Sequence, residues 1–222
     1  MNIINRIATF IEHSPTAEKR RENLIKVLSQ LNISFSKQTF KEGYNFIAKG
    51  TGNLWFSAHY DTVDPQFSAL DNTGSVFSLI YLKMKIPSAN VVFFDREEPP
   101  FMGKGSEHFA LTSGHGIKMV NLDVIGKGNT FLLKEFNNSF TKEAKAILQL
   151  DTYQMPFTDA DICNKLGVES IMLAGAYKLH DGTYDTSHWR FCHSPNDIPS
   201  VLELEQFVKM FDIQKTLINY FG

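Results

Sequence analysis

Long apolar runs are missing from this chain. None reaches the ~18 residues that a membrane-spanning helix needs, so no membrane partner is expected. Cysteine is scarce too: Cys163 and Cys192 are the only two, too few for a disulfide scaffold, and they read as free thiols. Charge of one sign is also lacking. The net charge is −2 and the longest basic block is Lys19-Arg20-Arg21, which falls on a predicted helix and reads as a solvated face. No nucleic-acid partner is therefore expected. The N-terminus, Met1 to Ile11, is periodic and amphipathic, with no basic segment leading to a small-residue cleavage site. That pattern predicts a cytoplasmic protein. No internal repeat, linker or low-complexity tract divides the 222 residues, which suit one catalytic domain over 1–222.

What is present is an ordinary globular composition, 43% hydrophobic and 21% charged, with 19 phenylalanines to pack the core. Ile3, Ile4, Ile7 and Ile11 share one face of a first helix. Ser14-Pro15 reads as cap and first residue of a second, which places Leu24, Val27, Leu28 and Leu31 together. Ile33–Phe40 and Phe46–Ala48 read as a hairpin around Glu42-Gly43. Strands are predicted at Leu54–Ala58, Asn90–Asp95, Lys118–Asp123, Thr130–Leu133 and Glu169–Ala174. Helices are predicted at Ser75–Met84, Ser106–Leu111, Ser139–Leu150 (with Thr141 as the candidate cap) and Val201–Phe221, and a loop over Gly175–Asp197. Strands alternating with helices give an α/β fold. We expect a single-domain three-layer sandwich with a central mixed, mostly parallel sheet and helices on both faces.

Four strands or turns deliver groups able to bind a metal: His59 with Asp61, Glu97-Glu98, Asp123, and His193; Asp71 opens a helix between them. Singly, each has an ordinary reading as turn, cap or solvated charge. Together they do not. Two acids placed directly after Val91-Val92-Phe93-Phe94 are costly beside a buried strand unless a cation or hydrogen bonds satisfy them. Two histidines with three or more carboxylates suit paired divalent ions. Such a site needs a shared carboxylate between ions about 3.5–4 Å apart, and a further carboxylate free to move a proton. Glu97 and Glu98 can divide the work of base and ligand, and Asp61 is placed to accept the second N–H of the His59 imidazole.

The order His59-x-Asp61, Asp71-Asn72-x-Gly74, Glu97-Glu98, Asn121-Leu122-Asp123-x-Ile125-Gly126 and His193-x-Pro195-x-Asp197 resembles the co-catalytic zinc aminopeptidases of the bacterial leucyl aminopeptidase type. Glutaminyl cyclases and glutamate carboxypeptidases belong to the same wider group. The resemblance implies two zinc ions, with Asp71 bridging them, His59 and Asp123 completing one, and Glu98 and His193 the other. It implies Glu97 as general base, Asp61 behind His59, and a cis Asp71-Asn72 peptide. A carboxylate-rich set also suits manganese or cobalt, and the sequence leaves that choice open. The substrate implied is a small peptide or aminoacyl-amide. Where the family carries Ser-Asp-His and an aromatic, this chain has Thr158-Asp159-Ala160 with Cys163, so a remodelled pocket is expected. Tyr177, His180, Tyr184, His188 and Trp189 crowd the loop before His193, while His13, His108 and His115 read as surface. Two alternatives stand beside hydrolysis: a glutaminyl cyclase-like acyltransferase with one zinc, and a non-catalytic binding relative, which would have lost ligands that are all present here.

Overall fold

In a computed structural model, residues 2–113 and 116–222 are described, and His115 lies outside them. Nine strands among these residues form one sheet: β1 Ser36–Phe40, β2 Gly43–Ala48, β3 Leu54–His59, β4 Asn90–Phe94, β5 Lys118–Leu122, β6 Thr130–Lys134, β7 Thr152–Tyr153, β8 Glu169–Lys178 and β9 Tyr184–Asp185. The spatial order is β1-β2-β4-β3-β5-β8-β6-β7, with β9 paired to the end of β8. The central pairings β4–β3, β3–β5 and β5–β8 are parallel, and the flanks at β1–β2, β2–β4 and β6–β8 are antiparallel. The sheet is mixed, with a parallel core.

The helices are α1 Ile3–Glu12, α2 Ala17–Gln30, α3 Gly74–Lys85, α4 Lys104–Ser113, α5 Ser139–Leu148, α6 Asp159–Lys165 and α7 Leu204–Phe221. Period-two alternation on the central strands explains why both faces are covered. Phe56, Ala58, Val91, Phe93, Val120 and Leu122 point into the larger core beneath α1, α2, α3, α5 and α7. Trp55, Val92, Phe94 and Met119 point the other way and pack with Phe109 of α4 and Cys163 of α6. Each fully buried side chain of this kind contributes roughly 1.5–3 kcal/mol, so two such layers fix the strand ends tightly.

Several local expectations are corrected. Thr16, not Ser14, caps α2 by accepting from Lys19 N at 3.2 Å; Ser14 is buried and accepts from the Asn23 amide instead. Asn138, not Thr141, caps α5, because its side chain reaches Thr141 N at 2.6 Å. The stretch expected as loop from Gly175 is strand as far as Lys178, held by β6 and then β9. Helix α6 and the short strands β7 and β9 were not legible, being too short for a periodic signal. The Lys19-Arg20-Arg21 run is not a solvated face. Lys19 is exposed and paired with Glu22, Arg21 pairs with buried Asp95 at 3.1 Å, and Arg20 is buried. His108 is half-buried against Phe40 rather than at the surface, whereas His13 is exposed.

Candidate metal centre

The parallel strands β3, β4, β5 and β8 all end at one edge of the sheet, where open α/β sheets carry their sites. His59 is the last residue of β3; Glu97 and Glu98 follow β4, and Asp123 follows β5. Asp71 lies in the irregular turn Ala69–Thr73 that leads into α3, with the Asp71–Asn72 peptide bond cis. Gly74 starts that helix where a Cβ would meet the Ile125 carbonyl at 2.1 Å, so only glycine lets the turn approach the β5 loop. His193 follows the turn Ser187–Phe191. Arg96, Val124 and His193 all carry positive φ, at 66°, 55° and 57°. Left-handed backbone at three non-glycine residues flanking the cluster is the kind of strain that concentrates at functional sites.

The side chains converge on Asp71. Its Oδ1 lies 3.2 Å from His59 Nε2, and its Oδ2 lies 3.1 Å from His193 Nε2. Asp123 Oδ1 is 3.6 Å from His59 Nε2, and Glu98 Oε2 is 3.1 Å from His193 Nε2. His59, Asp71 and Glu98 each offer one ligand atom within 4.8 Å of the others. Glu97 stands to one side, its Oε2 4.0 Å from His59 Nε2. All of these except His193 are buried.

Asp61 behaves differently from expectation. Its carboxylate oxygens accept the backbone N–H groups of Glu97 and Glu98, each at 3.1 Å. The second nitrogen of His59, Nδ1, faces the Asp61 carbonyl oxygen at 3.1 Å, with the carboxylate farther away at 3.6 Å. Two fixed backbone donors have claimed the carboxylate, so the main chain orients the imidazole. A second carboxylate acts in the same way. Asp197 accepts from Leu70 N at 2.6 Å and Asp71 N at 3.0 Å. Thr158 donates to Asn121 Oδ1 at 2.6 Å and lies 3.2 Å from Asp123 Oδ2. Sequence reasoning assigned no role to Asp197, Thr158 or Arg20. For Arg20 a signal existed: it stands four and eight residues before Leu24 and Leu28, on the buried face of α2.

The electrostatics are those of crowded carboxylates around two imidazoles. Burial pushes the Glu97 carboxyl up to about 10, with Asp159, Asp123 and Glu98 adding to the rise against the pull of His59. Burial and the Asp71 charge push Glu98 up to about 7. Contact with Asp71 holds the His193 imidazole up at about 9. Burial would raise Asp71, but its contacts with His193 and His59 outweigh this and hold it far below the usual carboxylate range. Among the described residues, Asp71 Oδ1 and both carboxylate oxygens of Asp159 are buried without a hydrogen-bond partner. Unpartnered buried oxygens among crowded carboxylates and two imidazoles fit divalent cations as the missing partner.

The cluster forms one wall of a cavity of about 250 Å³. Met155, Pro156, Phe157, Met172, Ala174 and Trp189 form much of the opposite wall. Of the five aromatic and histidine residues that crowd the loop before His193, Trp189 lines the cavity. His188 is buried with Nε2 3.1 Å from Gly175 O, Tyr177 donates to Glu203, Tyr184 donates to Asp151, and His180 is exposed. Both cysteines are free, and Cys192 borders the cavity. No helix among the described residues is long and apolar enough to cross a membrane.

No curated protein matches the chain. Among solved structures, the fold is shared with Porphyromonas gingivalis glutaminyl cyclase, at 18% identity and TM-score 0.76, over 99% of this chain and 97% of that one. It is shared with the zinc aminopeptidase BSAP of Bacillus subtilis at 18% identity and TM-score 0.60, over 79% of this chain and 49% of that one. An aminopeptidase from Aneurinibacillus sp. strain AM-1 gives 18% identity and TM-score 0.64, over 81% and 48%. The chain thus spans about half the length of these two aminopeptidases. Peptidase family M28 matches residues 45–218, a segment that begins in β2 and ends in α7 and contains each of the converging side chains. The chain belongs to peptidase family M28.

Proposed function

We propose that this protein is a dinuclear zinc-dependent hydrolase of peptide or amide bonds, acting as an aminopeptidase on small peptides. One observation carries the reading: the two oxygens of Asp71 face different histidines, and each histidine has its own second carboxylate. In this assignment Asp71 would be the shared ligand, His59 and Asp123 would hold one ion, and Glu98 and His193 would hold the other. Divalent ions held there would supply Lewis acidity, lowering the pKa of a bound water and polarising the scissile carbonyl.

The remaining steps belong to the chain. Glu97 borders the cavity beside the cluster; burial and its acidic neighbours keep it protonated until divalent cations offset those charges, and its carboxylate then takes the proton of the attacking water and passes it to the leaving amine. Asp61 holds the Glu97 and Glu98 backbone, so the base and its neighbouring ligand diverge from a fixed point. The apolar wall receives the side chain of the residue whose amide is cleaved, while the acidic wall attracts a free α-ammonium group and favours attack at the chain terminus. Intramolecular acyl transfer is the second reading, favoured by the near full-length overlap with a glutaminyl cyclase.

The test is zinc per chain by elemental analysis, together with turnover on aminoacyl-amides and on N-terminal glutaminyl peptides. Two zinc ions with release of free amino acid is the expected result. One zinc with cyclisation of the glutaminyl peptide would replace the first reading by the second. Two ions with no turnover on either panel would sink the substrate class.

A further inference from the structure

One residue of the basic run on α2 turns inward, behind the acidic cluster. Arg20 is 1% exposed. Its Nε donates to the Tyr60 carbonyl, Nη1 to Ser68 Oγ at 3.1 Å and Nη2 to Thr73 Oγ1 at 2.7 Å. The Phe10 ring covers the guanidinium, 5.2 Å from carbon to ring centroid. Tyr60 directly follows His59, and Ser68 and Thr73 bracket Asp71. The fork therefore spans the two segments that deliver His59 and Asp71. Among the described residues Arg20 makes no direct ion pair, yet the charges that pull its pKa back up against burial are Asp61, Asp71, Asp197 and Glu98, leaving it at about 10 and cationic at neutral pH. A guanidinium in so buried a place is expensive unless nearby charge compensates it. The matched family segment starts at residue 45, so this cation comes from a helix outside it.

We propose that Arg20 is a positioning residue that assembles the ligand cradle before metal arrives. Its three donors lock the exit of β3 against the Ala69–Thr73 turn, and its fixed charge offsets the crowded carboxylates. The inference rests on the reading of the cluster as a metal centre. Bound divalent ions would take over both tasks, since they neutralise the same carboxylates and tie His59 to Asp71 directly. Loss of Arg20 should therefore be felt chiefly in the metal-free protein, a dependence that a general core residue would not show.

The experiment is thermal unfolding of the wild type, Arg20→Met and Arg20→Lys, each in EDTA and in saturating zinc. The melting temperature of Arg20→Met should fall in EDTA by roughly twice its fall in zinc, or more, because zinc offsets the carboxylates that the lost guanidinium no longer compensates, so the variant gains more from zinc than the wild type does. Arg20→Lys keeps the charge without the fork and should lie between Arg20→Met and wild type in EDTA. An equal fall in both conditions overturns the proposal. If a variant does not fold in EDTA, recovery on refolding in zinc supports the proposal and failure in both overturns it. The wild type separates the two readings. If zinc does not raise its melting temperature, the metal centre and this inference fall together; if zinc does, equal shifts in the variants overturn the role of Arg20 alone.

Discussion

The two walls of the cavity are held by different physics. On the acidic wall, the segments carrying His59, Asp71, Glu97, Glu98 and Asp123 are cross-braced by polar groups: half-buried Asp61 on two backbone N–H groups, buried Asp197 on two more, buried Thr158 on Asn121 and Asp123, and buried Arg20 on three acceptors. A buried carboxylate accepting two backbone donors is oriented in every degree of freedom that matters, and charge-assisted hydrogen bonds are the strong ones. The apolar wall has few such braces. Trp189 is anchored by one indole hydrogen bond to Gly175 O at 2.8 Å, and Lys134 ties Pro156 and Asp161 beneath the segment carrying Met155 and Phe157. Phe157 is itself 37% exposed, and the rest is van der Waals contact with flexible methionines. The difference teaches that one wall is built for a single geometry and the other for tolerance.

That contrast makes ordered predictions under the proposed function. The largest effect is expected at the acidic wall, in the base. Glu97→Gln should lower turnover by roughly 10²–10⁴-fold while zinc content stays unchanged, measured by steady-state kinetics and elemental analysis on one preparation. Wild-type turnover in that variant would remove Glu97 from the chemistry. Next comes a brace. Asp61→Asn places an amide NH₂ against one of two backbone donors, so zinc affinity should weaken by about 10–100-fold in a competition titration with a chelator. Unchanged affinity would mean that the brace is not what orients the ligands.

Effects on the apolar wall should be smaller and of a different kind. Trp189→Phe keeps an aromatic ring but loses the donor to Gly175, a hydrogen bond worth roughly 1 kcal/mol. KM for substrates with apolar side chains should rise several-fold with kcat little changed, and an equal fall in kcat would break the division between the walls. Met172→Leu conserves volume and should alter stability by less than about 1.5 kcal/mol, read from urea unfolding, with zinc affinity untouched.

Much of this was legible in the sequence because the signals are local. Val91-Val92-Phe93-Phe94 announced a central strand, and apolar periodicity announced α1 and α2, since a period of 3.6 needs only a dozen residues to register. The short elements α6, β7 and β9 were not legible, because tertiary packing rather than propensity decides them. Caps were misassigned by two and three residues where two capping residues competed, at Ser14 against Thr16 and at Thr141 against Asn138, although α5 begins at Ser139 as expected. Arg20 was misjudged for a different reason. Three adjacent cations suggest water, yet neighbours on a helix point about 100° apart, and one of the three had to face Leu24 and Leu28.

The sequence by itself determined which candidate metal-binding side chains are present and their order: two histidines and the acids after β3, β4 and β5, with an acid in the turn before α3, spaced so that a parallel sheet would bring them to one edge. Only the tertiary structure decided how they are shared. That Asp71 turns one oxygen to His59 and the other to His193, that Asp61 grips the Glu97–Glu98 backbone, and that Asp197 reaches Leu70 and Asp71 across 127 and 126 residues are all long-range contacts. No local pattern encodes them, because they arise where separate loops meet and buried polar groups must each find a partner.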